Sequence, residues 1–239
     1  MKVTVDIHNP AEVFACFGIF ELLSQRDNKA LAYFDGEGTG QSSFIVDTTA
    51  TLPDLRTLKI ETLEHDNPLI APVSIDGLRL DWWLSQWRTD ASNLKLWSGT
   101  TKASVMLRNF QADIPDFDEA ILQQSLSTKT GKSSFGFDLR ADRDAVKLGY
   151  SPDDLQEAVV IYPATELLCA VGLQNFRPSS ESAYDVWRRP IPRSIAHAAC
   201  RMNIPGLRQS KFTMKIKFIS KGGRAVSEVS TEQEMGAGA

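Results

Sequence analysis

Residues 7–23, IHNPAEVFACFGIFELL, read as a buried helix, and residues 161–176, IYPATELLCAVGLQNF, repeat the pattern. Aligned on Glu12 and Glu166, both copies run Glu, two large apolar residues, Ala and Cys in either order, and another apolar residue. Gly18 or Gly172 follows, then Ile19 or Leu173. In the first copy Asn9 suits an N-cap, and Pro10 suits the first helical position, where a missing N–H loses no intrahelical bond. Glu12 falls in the first turn, at the positive end of the helix dipole. From Val13 to Leu23 almost no polar face remains, so the helix is expected to be enclosed on most sides. Gly18 costs about 1 kcal/mol against Ala in a helix interior, which predicts that another backbone comes close there. A plain core helix is the favoured reading, with catalysis by Cys16 or Glu12 the minor alternative.

Working outward, residues 2–7 alternate Val3, Val5 and Ile7 with polar residues, the period of a half-buried strand. Residues 30–34 and 43–47 are further strands, separated by the glycine-rich turn 35–40. The order strand, helix, strand, strand makes this an α+β protein and is compatible with a ferredoxin-like core carrying helical insertions. Residues 51–63 fit a helix or a strand equally, and 72–80 read as a hairpin turning at Asp76-Gly77. The segment DWWLSQW, 81–87, places Trp83 and Trp87 at i,i+4 spacing; packing is their expected role, since stacking on bases requires an exposed ring. Helices are expected at 103–110, 117–126 and 142–148, with a short strand at 135–138. After the second copy come a strand at 183–188, a helix at 192–202 and a strand at 212–219 with lysines on one face. The turn Lys221-Gly222-Gly223-Arg224 leads into a strand at 225–229, and 231–239 reads as a flexible tail. Residues 1–230 therefore form one extended domain or two related halves, 1–127 and 128–230.

The chain has 239 residues, 42% of them hydrophobic, with five tryptophans, enough for a sizeable core. Cys16, Cys169 and Cys200 lie in apolar or helical surroundings without a CxxC pair or a secretory signal, so reduced core thiols of a soluble, cytoplasmic protein are expected. No apolar run reaches the roughly 18 residues that span a bilayer. His8, His65 and His197 have no metal-ligand spacing, and neither a metal nor a cofactor is expected. Lys129 to Ser133 ends like a phosphate-binding loop in Gly131-Lys132-Ser133, but the earlier glycine that such a loop needs falls on Leu126. What remains there is a basic loop.

Charge is the stronger lead. Twelve acids face six Lys or Arg in residues 1–80, whereas 186–227 contain no Asp or Glu. That second stretch carries ten cations: Arg188, Arg189, Arg193, Arg201, Arg208, Lys211, Lys215, Lys217, Lys221 and Arg224. Such a run suits a phosphate backbone, the alternative being a solvated face or one paired with acids of a neighbouring subunit. Lys95 and Lys102 flank the turn at Ser98-Gly99, and Arg108 follows on the next helix, so this stretch and the loop with Lys129 and Lys132 are further candidate phosphate contacts.

The segment Asn9 to Leu22, the turn LKLWSG at 94–99, the FGFD segment at 135–138 and GYSPD at 149–153 together resemble a CRISPR-associated family, the effector-complex subunits of type I-U (I-G) systems. The second Glu...Gly helix with Arg177-Pro178 and the lysine-rich C-terminal hairpin are similar too, so the resemblance covers most of the chain. It implies a non-catalytic subunit of an RNA-guided DNA surveillance complex in antiviral defence, contacting guide RNA or target DNA and other effector subunits. It leaves open a role like the large subunit's or like that of the repeat-associated, ferredoxin-like subunits. Two other classes stand beside it: a guide-processing or other nuclease using His197 or His8, and a purely structural adaptor.

Overall fold

Alternating Val3 and Val5 with Lys2, Thr4 and Asp6 produces β1 (Lys2–Asp6), whose valines are buried and whose polar residues are exposed. The chain then enters α1 (Pro10–Ser24), in which every residue is buried. A computed structural model describes residues 1–36, 41–84, 94–97, 101–115, 120–129, 134–140, 158–179, 182–218 and 224–235. These residues hold four helices and several small antiparallel sheets, the α+β class expected from the sequence. Two compact units divide the chain: 1–53, 168–215 and 228–239 form the first, 54–167 and 216–227 the second.

In the first unit, β2 (Leu31–Asp35) and β3 (Gln41–Asp47) form a four-stranded antiparallel sheet with β1 and the two-residue β10 (Ile191–Pro192), in the order β1-β3-β2-β10. The second Glu...Gly helix, α3 (Pro163–Asn175), meets α1 at the glycines. A Cβ on Gly18 would stand 2.0 Å from the carbonyl oxygen of Leu168, and one on Gly172 would stand 2.0 Å from that of Phe14. Each glycine thus admits the carbonyl lying four residues before the other, a reciprocal crossing of the two copies. The expected close approach is real, and the approaching backbone is the repeat itself.

The same core stacks Phe17 on Phe176, with centroids 4.5 Å apart, and on Trp187 at 5.3 Å. Trp187 lies on β9 (Ala183–Trp187) and donates its indole N–H to the Ala32 carbonyl at 2.7 Å. Tyr184 similarly donates its hydroxyl to the Ile7 carbonyl at 2.9 Å. β9 pairs antiparallel with β11 (Gln209–Phe218), which pairs in turn with β12 (Arg224–Met235). Phe212 and Met214 are buried while Lys211, Thr213 and Lys215 point outward, as the alternation predicts. The last strand continues through 231–235, residues that the sequence reading gives to a tail. Between β9 and β11 lies the short α4 (Arg193–Ala199).

In the second unit the ambiguous stretch 51–63 holds a 3-10 turn, Leu55–Thr57, and a strand, β4 (Ile60–Thr62). β4 forms a meander with β5 (Val73–Ile75) and β6 (Leu78–Leu80). The β5–β6 turn has φ of 46° at Asp76 and 85° at Gly77, the paired positive angles of a tight hairpin. Helix α2 (Ala103–Asp113) is fastened to the 3-10 turn by Gln111, whose Nε2 donates to the carbonyls of Leu55 at 3.0 Å and Leu58 at 2.7 Å. Trp82 meets Trp83, Trp97, Phe135 and Phe137 edge-on with centroids 5.3–6.1 Å apart, so these rings pack instead of offering a stacking platform.

Two expectations in this unit are overturned. Residues 120–123 form a turn and Leu126 opens β7 (Leu126–Lys129), paired with β8 (Ala158–Ile161), so a helix does not run to Leu126. The pairing Leu126↔Ile161 gives Leu126 a ladder partner that outweighs its helical preference. Nor is 135–138 a strand, because φ of +83° at Gly136 breaks the extended run. Trp87, the helix at 142–148 and the segment 149–153 lie outside the described residues. Among those described, no helix is long and apolar enough to cross a membrane.

Candidate nucleic-acid interface

The first-turn carboxylates of the two core helices are occupied. Glu12, 2% exposed, accepts the Asp6 backbone N–H at 2.9 Å and the Asn9 side-chain amide at 3.2 Å. Asn9 occupies the N-cap position but makes no side-chain cap bond, its amide being turned to Glu12. Glu166, 1% exposed, accepts the Phe135 N–H at 3.0 Å. Each carboxylate therefore satisfies a backbone donor at an element junction, a structural duty. The thiols are equally unsuited to attack: burial pushes Cys16 far above its ordinary pKa, with Glu12 adding to the effect, and burial drives Cys200 up to about 12. All three cysteines are free and buried.

His8 and His197 are both engaged. His8 Nε2 lies 3.0 Å from the Thr231 hydroxyl, and its ring stands edge-on to Phe212. His197, on α4, places Nε2 2.5 Å from a carboxylate oxygen of Glu21, which is fully buried. Arg193 reaches the other Glu21 oxygen at 3.3 Å. One buried carboxylate thus joins two side chains of α4 to α1. Among the described residues no group of three or more His, Cys, Asp or Glu converges as metal ligands would.

The fold distributes the candidate phosphate contacts between both units. In the first, Arg189 and Arg201 are exposed, and Arg201 Nε donates to the His197 carbonyl at 3.2 Å. Arg193 is committed to Glu21, and Lys215 reaches Glu228 across the β11–β12 ladder at 3.5 Å. Lys211 stands opposite Asp185 in the β9–β11 register. The same register continued past Trp187 and Gln209 sets Arg188 beside Arg208, whose carbonyl accepts the Arg188 backbone N–H at 3.1 Å. Arg188, Arg189 and Arg208 thus gather at one end of this ladder.

In the second unit, Lys217 and Lys102 are exposed, and Arg108 donates to the Ile60 carbonyl at 3.4 Å and the Thr62 hydroxyl at 3.3 Å. Lys95 and Arg224, 129 residues apart in sequence, come together: Arg224 Nη2 donates to the Lys95 carbonyl at 3.0 Å. The Lys129 side chain, Lys132 and Lys221 lie outside the described residues.

Two features escaped the sequence reading. Arg208 belongs to the arginine group through strand register, which a list of charges does not reveal. Arg140 is a structural hub: it makes a forked ion pair with Asp138 at 2.7 and 2.9 Å, donates to Leu122, Gln123 and Thr165, and lies 3.5 Å over the Tyr162 ring. Its only sequence signal was the Asp-x-Arg spacing next to the FGF segment. Comparison with models of known protein families, with characterised proteins and with solved structures returned no match to this chain.

Proposed function

We propose that this protein is a non-catalytic, nucleic-acid-contacting subunit of an RNA-guided DNA surveillance complex, as its resemblance to the type I-U (I-G) effector subunits implies. The observation that carries this reading is the exposure of Arg189 and Arg208 at one end of the β9–β11 ladder, in a stretch without acids. A phosphate backbone laid along exposed arginines gains charge-assisted contacts to them. The order β1-α1-β2-β3, with β3 between β1 and β2, is compatible with a ferredoxin-like half, which supports the repeat-associated type of subunit.

Fluorescence anisotropy with labelled single-stranded RNA and DNA tests the binding. Arg189→Glu/Arg208→Glu should weaken association at least tenfold and lower the salt slope by about 1.4, two contacts at the roughly 0.7 expected per phosphate on a single strand. Equal affinity and slope in the variant would remove the proposal. A second reading, a nuclease, draws on the histidine–carboxylate pair of His197 and Glu21. Cleavage of labelled RNA that disappears in His197→Ala while binding persists would establish it instead.

A further inference from the structure

Helix α4 is fastened along its inner face. There Ala196, Ala199 and Cys200 are fully buried, and His197 and Arg193 share the buried carboxylate of Glu21 on α1. The Ala198 carbonyl accepts the Met202 N–H at 3.1 Å, which carries the last turn on to Met202. Beyond it Gln209, only 5% exposed, fixes the chain three times: its amide donates to the carbonyls of Ala199 at 2.7 Å and Met202 at 3.0 Å, and its oxygen accepts the Ile204 N–H at 2.6 Å. Bonds on both sides therefore keep this helix from rolling its outer face inward.

That outer face is apolar. Ile195 and Met202 are 43% and 52% exposed, with half-buried Ala198 between them. At spacings of three and four residues the three lie along one stripe, in which two large side chains flank an alanine gap, the relief into which a side chain of a second helix packs. Scattered apolar residues on a surface are ordinary, but a stripe on a helix whose other face is already buried is a contact surface. Between Val186 and Ser210 the charged residues are Arg188, Arg189, Arg193, Arg201 and Arg208, with no Lys, Asp or Glu. Protein interfaces share this composition, being enriched in Met and Arg and depleted in Lys, Glu and Asp. Arg201 and Ser194, both exposed, border the stripe on one side, so a carboxylate arriving there meets a cation and no acid of this stretch. Ile, Ala and Met offer no ring for a base to stack on and no donor for a phosphate, which favours protein over nucleic acid as the occupant.

We propose that the outer face of α4 docks an acidic amphipathic helix of a partner protein, with a large apolar side chain of that helix over Ala198 between Ile195 and Met202 and its flanking carboxylates toward Arg201. The surface uses neither Arg189 nor Arg208, so it can exist whether or not those arginines bind nucleic acid.

The test uses the full-length chain and a labelled peptide of about 20 residues, long enough to be helical, with Leu at positions i, i+3, i+4 and i+7 and Glu on the flanks. A peptide of the same composition with the spacing scrambled is the control, and binding is read by anisotropy. The patterned peptide should bind and the scrambled one should not. Ile195→Ser/Met202→Ser should weaken binding at least about tenfold, the loss expected when central apolar contacts are removed, with an unchanged urea midpoint because both side chains are exposed. Arg201→Glu should weaken the Glu-flanked peptide and strengthen a Lys-flanked one, which tests the charge pairing separately from the apolar contact. If the unaltered protein ignores the patterned peptide, binds the scrambled one equally, or keeps its affinity in Ile195→Ser/Met202→Ser, the proposal fails. It fails also if that variant loses affinity for a labelled single strand, which gives the face to nucleic acid, or abolishes a concentration-dependent self-association seen by sedimentation, which gives it to a second copy. Arg189→Glu/Arg208→Glu leaves the stripe intact, so that variant separates failure of the nucleic-acid reading from failure of this surface.

Discussion

Gly18→Ala should lower stability, although alanine is the better helix former. At an exposed helical position the exchange gains about 1 kcal/mol. Here the new methyl would stand 2.0 Å from the Leu168 carbonyl oxygen and 2.8 Å from its carbon, whereas ordinary contact begins near 3.4 Å. The two helices must therefore separate by about 1.4 Å, and because the obstacle is backbone, no rotamer change can relieve it. Separation opens the Phe17–Phe176 stack, and a gap of about 1 Å forfeits up to half of each dispersion contact. Overpacking of this kind costs about 3 kcal/mol at the upper end of its usual range, leaving about 2 kcal/mol of net loss after the helical gain. For a chain of this size that lowers Tm by roughly 4–8 °C. Urea denaturation followed by circular dichroism should show a reduced midpoint with an unchanged slope. The crossing is reciprocal, so the separation forced by Gly18→Ala also makes room for Gly172→Ala. The double variant should then lose clearly less than the sum of the single losses. A neutral or stabilised Gly18→Ala, or strict additivity, would refute the close crossing.

Three more outcomes follow from contacts in the two units. Arg140→Ala should cost about 3–5 kcal/mol in urea denaturation, since it removes the counter-charge of an Asp138 side chain only 1% exposed, and Arg140→Lys should not restore the fork or the stack on Tyr162. Glu166→Ala should lower stability by about 1–3 kcal/mol by leaving the buried Phe135 N–H without its carboxylate acceptor, with the loss visible in the denaturation midpoint. Asp27 is held down to about 2 by the Thr49 N–H, with the Thr48 hydroxyl and the Lys29 N–H assisting, so its carboxylate favours the folded state. That contribution is complete above the ordinary value of 3.8 and disappears as pH falls from there towards 2; the stability difference between the unaltered protein and Asp27→Asn should shrink over that window and stay constant above it.

Much of the framework was legible because it follows from short-range rules. The alternation around Val3 and Val5, the Asp76-Gly77 turn and the apolar run after Pro10 each admit one backbone solution. Gly18 announced a close approach, and the second Glu...Gly copy held the partner. The failures share a long-range cause. Leu126 lies at the end of a helical pattern, but Ile161, 35 residues later, offers it a ladder. Gly136 interrupts FGFD because β12, far along the chain, passes against it. Asn9 looks like a cap and instead serves the buried Glu12.

For the site, the acid-free run of 186–227 predicts positive charge but not where it accumulates. The ladder and α4 divide it. Arg193 is drawn to Glu21, and Lys215 to Glu228, both acids from outside the run. These cations serve the fold first, and reversing them would mix structural damage with lost binding. Lys217 is exposed and would show a smaller, purely electrostatic effect. Arg189 and Arg208 are exposed at one end of the β9–β11 ladder, so a partner phosphate gains most from them. A charge count therefore ranks Lys215 level with Arg189, whereas geometry ranks Arg189 above it. Parallel measurement of Lys215→Met and Arg189→Met on strand binding would decide between them, and equal losses would return the basic stretch to the status of an undifferentiated face.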